Sequence, residues 1–282
     1  MIASTLRQPV RNAAAGLVIL ACVLPLDAAA AADASSWAES AHAAIRLIAG
    51  NRGNTGLRAG VEIKLAPGWK TYWRYPGDSG VPPRFDFTGS QNVKSVTVLW
   101  PAPHRHHDES GTTIVYTDDV IFPLQVVARD AAKPVDLRLK LDYAICENLC
   151  VPADGEVELR LDGAPSTLDA TLTAGEALVP KRAKLGDTAP LAVRAVRRET
   201  GGAKPRIVVD VAGPEPVDLF AEGPTPDWAL PVPDPVAGAP AGLHRFAFDV
   251  DGVPPGVKAD GASLTLTLTS PAGAIEVAAP LD

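Results

Sequence analysis

Apolar and polar residues alternate with a period of two along most of this chain, the spacing of strands half-buried on one face. Ile45, Leu47, Leu57, Val61, Ile63 and Leu65 predict two strands over 43–65 around a Gly/Asn turn. Short strands follow at Arg84 to Phe87, Val93 to Leu99, Thr113 to Val115 and Ile121 to Ala128. Strands recurring about every 10 residues with turn residues between them read as an antiparallel sandwich. The longest alternation runs through Val135, Leu137, Leu139, Leu141, Tyr143 and Ile145, and resumes at Val157, Leu159 and Leu161. A hairpin folded about Asn148 pairs Ile145 with Val151, Leu139 with Val157 and Leu137 with Leu159, all on one face. The same register sets Cys146 opposite Cys150. The turn Glu147-Asn148-Leu149 has no glycine, but Asn tolerates the left-handed position such loops use. Both sulfurs then lie on the face opposite Tyr143 and Ile145, away from the core and open to reagents.

The rhythm breaks over 163–187. Leu168, Leu172 and Leu178 fit a short helix capped by Ser166 or Thr167 and stopped at Val179, before Pro180. Strand patterning resumes from Ala189 in about seven segments, counting Trp228 to Val232 and Ala274 to Val277, with DPVAGAP as an exposed loop. The predicted architecture is all-β: a sandwich over 38–162, a linker with a short helix over 163–187, and a second, Cys-free sandwich over 188–282. No period of 20 to 50 residues signals a solenoid.

Composition narrows the function classes. Gly 24 and Pro 27 among 282 residues favour strands and turns over long helices. With Lys+Arg 26 against Asp+Glu 33 the net charge is −7, which leaves no basic surface for phosphate neutralisation and argues against nucleic-acid binding. Arg7 and Arg11 precede the apolar run Ala13 to Leu26 and the small residues Ala28 to Ala34, the pattern of a secretory signal peptide over 1–32 cleaved near Ala32. The run is shorter than the ~20 residues of a spanning helix. Ile19-Leu20-Ala21-Cys22 loosely resembles a lipobox, so a lipid on Cys22 is a second way to reach the same compartment and adds a membrane tether. Cleavage near Ala32 leaves Cys146 and Cys150 as the remaining cysteines, in a compartment where thiols pair or do redox work.

Two cysteines four residues apart on one extended strand would lie about 13 Å from each other, beyond the ~4.4 to 6.8 Å that a disulfide spans, so a hairpin or helical turn is required. As a staple the bond would stabilise little, since closing about five residues removes only ~2 kcal/mol of chain entropy. Spacing alone leaves redox exchange, a structural staple and a metal site open. His104, His106 and His107 in PHRHHDE are weak candidates for Cu(II) or Zn(II); the plainer reading is a flexible His-rich loop after Pro101 and Pro103, with Arg105 opposing a cation. Trp69, Trp73, Trp100 and the nearby tyrosines read as sandwich packing rather than a carbohydrate platform. No G-x-S-x-G, H-E-x-x-H or phosphate-binding glycine loop supports a hydrolase or nucleotide enzyme.

The run Tyr143-Ala-Ile-Cys146-Glu-Asn-Leu-Cys150-Val-Pro152 resembles the cysteine segment of the amino-terminal periplasmic domains of the DsbD and ScsB family. Trp69-Lys-Thr-Tyr72-Trp73-Arg-Tyr75-Pro76-Gly77-Asp78-Ser79-Gly80 is similar to an early segment of those domains. Asp108-Glu109, with Tyr116-Thr-Asp118-Asp-Val-Ile-Phe-Pro123-Leu, is similar to the loop and strand before their cysteines. The resemblance implies an immunoglobulin-like sandwich and a Cys146/Cys150 redox pair in which Cys150 forms the mixed disulfide. It also implies a cap loop holding Asp108 and Glu109, which would raise a thiol's pKa or accept protons. In place of the cap aromatics of the best-known member, Ser110-Gly111 follows the acidic pair. The implied activity is that of a thiol:disulfide oxidoreductase component without a prosthetic group, relaying reducing equivalents from a membrane-embedded donor to thioredoxin-like periplasmic oxidoreductases. The alternative is a non-catalytic binding or copper-tolerance module with a structural disulfide.

Overall fold

The computed structural model describes residues 1, 2, 4, 32–54, 56–108, 111–200, 202 and 204–281. The expected signal peptide, with Cys22, and the cap residue Glu109 lie outside the described residues. Residues 31–282 form one compact unit. Its strands are β1 (Ala38–Glu39), β2 (Ala43–Gly53), β3 (Gly56–Leu65), β4 (Lys70–Gly77), β5 (Arg84–Asp86), β6 (Val93–Val98), β7 (His104–Asp108), β8 (Gly111–Tyr116), β9 (Val120–Ala128), β10 (Val135–Cys146) and β11 (Cys150–Leu161). After helix α1 (Asp169–Ala177) come β12 (Lys181–Ala183), β13 (Ala192–Glu199), β14 (Arg206–Ala212), β15 (Asp218–Glu222), β16 (Asp234–Pro235), β17 (His244–Asp249), β18 (Ser263–Ser270) and β19 (Gly273–Pro280).

The first eleven strands make two sheets, β1-β2-β3-β9-β6 and β11-β10-β4-β8-β7, with β5 added alongside β10. Ile45, Leu47, Val61, Ile63, Phe122 and Leu124 of one sheet meet Trp73, Leu137, Leu139, Leu141, Val157 and Leu159 of the other in a shared core. The alternation read from the sequence is what makes this possible, because every second residue of each strand points to the same side. The immunoglobulin-like sandwich expected from the pattern and the resemblance is therefore present. The β10–β11 register matches the expected one, with Ile145 opposite Val151, Leu139 opposite Val157, Leu137 opposite Leu159 and Cys146 opposite Cys150.

The remaining strands form two four-stranded sheets, β12-β19-β18-β15 and β13-β14-β17-β16, around a second core that includes Ile207, Val209, Leu219, Phe246, Leu266 and Val277. β12 pairs in parallel with β19. Trp228 to Val232, expected as a strand, is irregular, and the pairing there is the two-residue β16 further on; Trp228 instead lies across Gly223, where a Cβ would come within 2.2 Å of the indole. On the outer face of the sheet Asp210 is almost fully buried between Arg197 at 2.7 Å and Arg245 at 2.6 Å. The hydrogen bond from Arg245, with Arg197 adding to it against the opposing effect of burial, holds the Asp210 carboxyl below its ordinary pKa. A carboxylate lowered in the folded state stabilises the fold above its unfolded pKa of about 3.9 and loses that contribution as pH falls through the folded value. Asp210→Asn is therefore expected to cost more at pH 7 than at pH 3, read as the difference in urea unfolding free energy from wild type; an equal cost at both would refute this origin.

The short helix appears where expected but is seated differently. It packs on the outside of the β1-β2-β3-β9-β6 sheet through Leu172, whose side chain needs the absence of side chains at Gly50 and Gly60: added Cβ atoms would lie 2.4 and 3.0 Å from it. Neither expected residue caps its amino terminus. The Ser166 hydroxyl accepts from the Leu168 amide at 3.1 Å, one position early, and Thr167 turns to Asp33. Arg58 of β3 fastens the helix from below through Asp169, Thr173 and Glu176.

The two sandwiches share an interface built on β4 and β7. Phe220 of β15 packs against Trp73 with ring centroids 5.8 Å apart, so the first core continues into the second sandwich. Arg74 pairs with Glu222 at 2.7 Å and Glu276 at 2.5 Å, and Arg105 donates to Asp218 at 2.7 Å and to the Pro233 carbonyl at 2.8 Å.

Candidate functional site

The three-residue turn Glu147–Leu149 brings the end of β10 and the start of β11 together and closes a disulfide between Cys146 and Cys150, with Cα atoms 4.1 Å apart. The two sulfurs are not equivalent. Cys146 is 1% exposed, whereas Cys150 is exposed at the surface next to Leu149, an apolar side chain left 74% exposed. The expectation that both sulfurs would be open to reagents is thus corrected for Cys146. The residue does face away from the main core, as the alternation requires, but a small apolar cluster of Tyr72, Val115 and Ala144 covers it on the outer face.

Tyr72 is the central contact. Its phenol oxygen lies 2.9 Å from Cys146 Sγ and 3.2 Å from Cys150 Sγ. Disulfide sulfurs carry no hydrogen, so the phenol O–H is the donor and its one proton serves both. Burial, then the nearby Asp108 carboxylate, push the Tyr72 pKa up, which keeps the phenol protonated. The ring is held down by the loop after β4. A Cβ at Gly80 would lie 2.2 Å from the Tyr72 ring, and Gly80 has φ +116°, so glycine alone fits there. That loop is tied to the β7–β8 hairpin: the Asp78 amide donates to the Thr112 carbonyl at 2.9 Å, and the Thr112 amide donates to the Asp78 carboxylate at 2.8 Å. Tyr72, backed by the Gly80 loop, thus covers the buried sulfur of the disulfide.

Beside the disulfide runs an open groove of about 650 Å³ lined by Trp69, Lys70, His106, Asp108, Glu147 and Asn148 among others. Asp108, the cap candidate, ends β7 over this groove. Its carboxylate meets the Lys70 ammonium at 3.4 Å and His106 Nε2 at 3.5 Å. Lys70 is directly opposite Cys146 in the β4–β10 ladder, and only 9% of its side chain is exposed.

His104, His106 and His107, expected in a flexible loop, form β7 instead, pairing with Val115, Thr113 and Thr112. On the strand His104 and His106 share one side and His107 takes the other, and among the described residues no group of three His, Cys, Asp or Glu side chains is arranged to hold a metal ion. Trp73 and Trp100 pack in the sandwich as expected, Trp100 edge-on to Phe85 and Phe122. Trp69 stacks on His42 at 4.0 Å at the groove's rim. Lys70 and Tyr72 carry no local sequence signal of a site role. Their positions two apart on one strand signal a common face, but only the long-range pairing of β4 with β10 shows that the cysteines share it.

The site is a hairpin disulfide on an immunoglobulin-like sandwich, with one sulfur exposed and one buried, an arrangement open to thiol-disulfide exchange at the exposed sulfur. Residues 39–162 match the family model described as thiol:disulfide interchange protein DsbD, N-terminal. The fold of both sandwiches is similar to the crystal structure of the N-terminal periplasmic domain of ScsB from Proteus mirabilis, with 23% identity and a TM-score of 0.65 over 88% of this chain and 98% of that one. No curated protein matches the sequence. Among the described residues no helix is long and apolar enough to cross a membrane.

Proposed function

We propose that the protein works in the periplasm as a thiol-disulfide exchange component, taking reducing equivalents from a membrane-embedded donor and passing them to thioredoxin-like oxidoreductases through Cys146 and Cys150. The observation that supports this most directly is the asymmetry of the disulfide, with Cys150 exposed and Cys146 buried under Tyr72. A donor thiolate attacks Cys150 Sγ; the donor–Cys150 bond forms, the Cys146–Cys150 bond breaks, and Cys146 leaves as a thiolate. The donor's second thiolate then attacks the donor's own sulfur in the mixed disulfide. Cys150 is released, the pair is reduced by two electrons, and the donor is oxidised. The reverse sequence hands those electrons to the next protein. In this reading residues 1–32 are the export signal, 38–162 the exchange domain, 163–187 the linker and 188–282 a second sandwich that supports it. On the same reading Asp108 and Glu109 serve as the acidic residues of the cap loop, and no prosthetic group takes part.

The test is the reduction potential of the pair, from thiol alkylation after equilibration in glutathione and dithiothreitol buffers. A value of about −180 to −270 mV is expected, the range of known exchange proteins; one well below about −300 mV, where inert structural bridges lie, would refute the relay.

A further inference from the structure

We propose that Lys70 is the counter-charge of the Cys146 thiolate, held by Asp108 while the disulfide is closed and turned to the sulfur when it opens. This inference rests on the exchange reading and names a residue that acts within it. Directly opposed residues of an antiparallel pair have Cβ atoms about 4.5–5.5 Å apart and project to the same face. Lys70 and Cys146 are such a pair. Tyr72, two residues along β4 and so on the same face, already touches both sulfurs. Lys70 therefore emerges beside Cys146 on a covered patch of the sheet, where an ammonium needs a compensating anion.

With the disulfide closed the sulfurs are neutral, and among the described residues the hydrogen-bonding partner of the Lys70 ammonium is Asp108 at 3.4 Å, a long contact that Asp108 shares with His106. When a thiolate attacks Cys150, the electron pair of the breaking S–S bond stays on Cys146, and a full negative charge appears at a 1% exposed sulfur. Burial strongly disfavours that charge unless a cation or donors meet it. The Tyr72 O–H supplies one donor. Lys70 supplies the cation, because a flexible four-carbon stem lets its ammonium rotate between two anions without moving the strand. Tyr72 of β4 touches both sulfurs, Lys70 lies opposite Cys146, and the titratable groups that line the groove with Lys70 are Asp108 and His106 from β7 and Glu147 from the turn. The carboxylates oppose the thiolate, so Asp108 sets how much of the lysine's charge the sulfur receives. Lys70 acts on the leaving and resolving sulfur and is a positioning residue of the exchange step rather than a nucleophile.

The experiment follows the ionisation of Cys146 alone, in the full chain with Cys22→Ser and Cys150→Ser, through the ¹³Cβ shift of labelled cysteine against pH. Lys70→Met should raise the Cys146 pKa by about one unit, so that about tenfold less thiolate is present near neutral pH, while Lys70→Arg keeps most of the wild-type value. Asp108→Asn should lower the pKa, and that lowering should largely vanish when combined with Lys70→Met, the coupling a double-mutant cycle detects. Lys70→Gln, which removes the charge but keeps a polar stem, takes the place of Lys70→Met in both arms if the latter does not fold. An unchanged Cys146 titration in Lys70→Met, or an Asp108→Asn effect of equal size with and without Lys70, would overturn the proposal. Neither readout uses the reduction potential, so a potential in the inert range would refute the relay and leave the Lys70 result to be judged separately.

Discussion

Cys146→Ser is expected to leave a Cys150 thiol that reacts with an aromatic disulfide reagent such as DTNB roughly a hundredfold or more faster than the Cys146 thiol left by Cys150→Ser, since exchange follows access as well as thiolate fraction. The difference comes from the fold. Cys150 opens an edge strand next to the exposed Leu149, whereas Cys146 closes an inner strand with β11 on one side and β4 on the other. An attacking thiolate must approach along the S–S axis from the far side of the sulfur it strikes. For Cys150 that approach comes from solvent, and for Cys146 it would have to pass Tyr72, Val115 and Ala144. With a thioredoxin-like protein reduced to a single cysteine and activated as a mixed disulfide, Cys146→Ser should accumulate a covalent complex stable on non-reducing gels, and Cys150→Ser should give none. Equal reagent rates for the two variants, or capture through Cys146, would refute the assignment of Cys150 as the attacked sulfur. Tyr72→Phe separates cover from hydrogen bonding: it keeps the ring and removes the donor, so Cys146 should stay slow to react.

The contrast between the two cysteines also marks where the sequence was legible. Between Val135 and Leu161 each strand's partner is its neighbour in the chain, so alternation and the three-residue turn together determine the register, and Cys146 falls opposite Cys150 without further information. The face assignment of the sulfurs follows from the same alternation. What covers them does not, because Tyr72 and Lys70 reach Cys146 through a pairing with residues some 75 positions earlier in the chain, and no local pattern encodes such a register. β7 escaped for a different reason: His-Arg-His-His-Asp has the composition of a loop, and it is a strand because β8 offers it a free edge. The helix shows a third kind of failure. Its apolar residues fixed that it forms, but of its leucines only Leu172 is buried, and the small residues that one rests on, Gly50 and Gly60, lie on strands far back in the chain. The second sandwich was readable as strands, yet its role in holding β4 and β7 depends on Arg74 and Arg105, whose partners Glu222, Glu276 and Asp218 lie more than a hundred positions further along the chain.

Arg74→Ala is expected to destabilise the protein by about 2–4 kcal/mol, somewhat less than the ~3–5 of a fully buried broken ion pair because these side chains keep partial contact with water. The guanidinium donates to Glu222 at 2.8 and 2.7 Å and to Glu276 at 2.5 Å, and it lies 4.3 Å above the Trp73 ring. Burial works against its charge, but the hydrogen bonds and charges of the two carboxylates outweigh that and hold its pKa above the ordinary arginine value. Removing it leaves Glu222 and Glu276 facing each other without a cation, which is the expensive outcome, while an apolar replacement of all three would cost far less. Arg138→Ala is the control. It breaks an exposed pair with Glu158 at 2.7 Å and should leave the stability nearly unchanged. Urea unfolding at pH 7 measures both, and a loss below about 1 kcal/mol for Arg74→Ala would show that the cluster does not hold the sandwiches together. The consequence reaches the disulfide, because β4 presents Trp73 and Arg74 to the second sandwich and Lys70 and Tyr72 to the sulfurs. Weakening the first contact frees the strand that supplies the second, so Arg74→Ala should also raise the DTNB reactivity of Cys146 in the Cys150→Ser background. A second sandwich without cysteines then contributes to exchange chemistry by keeping one strand of the first in place.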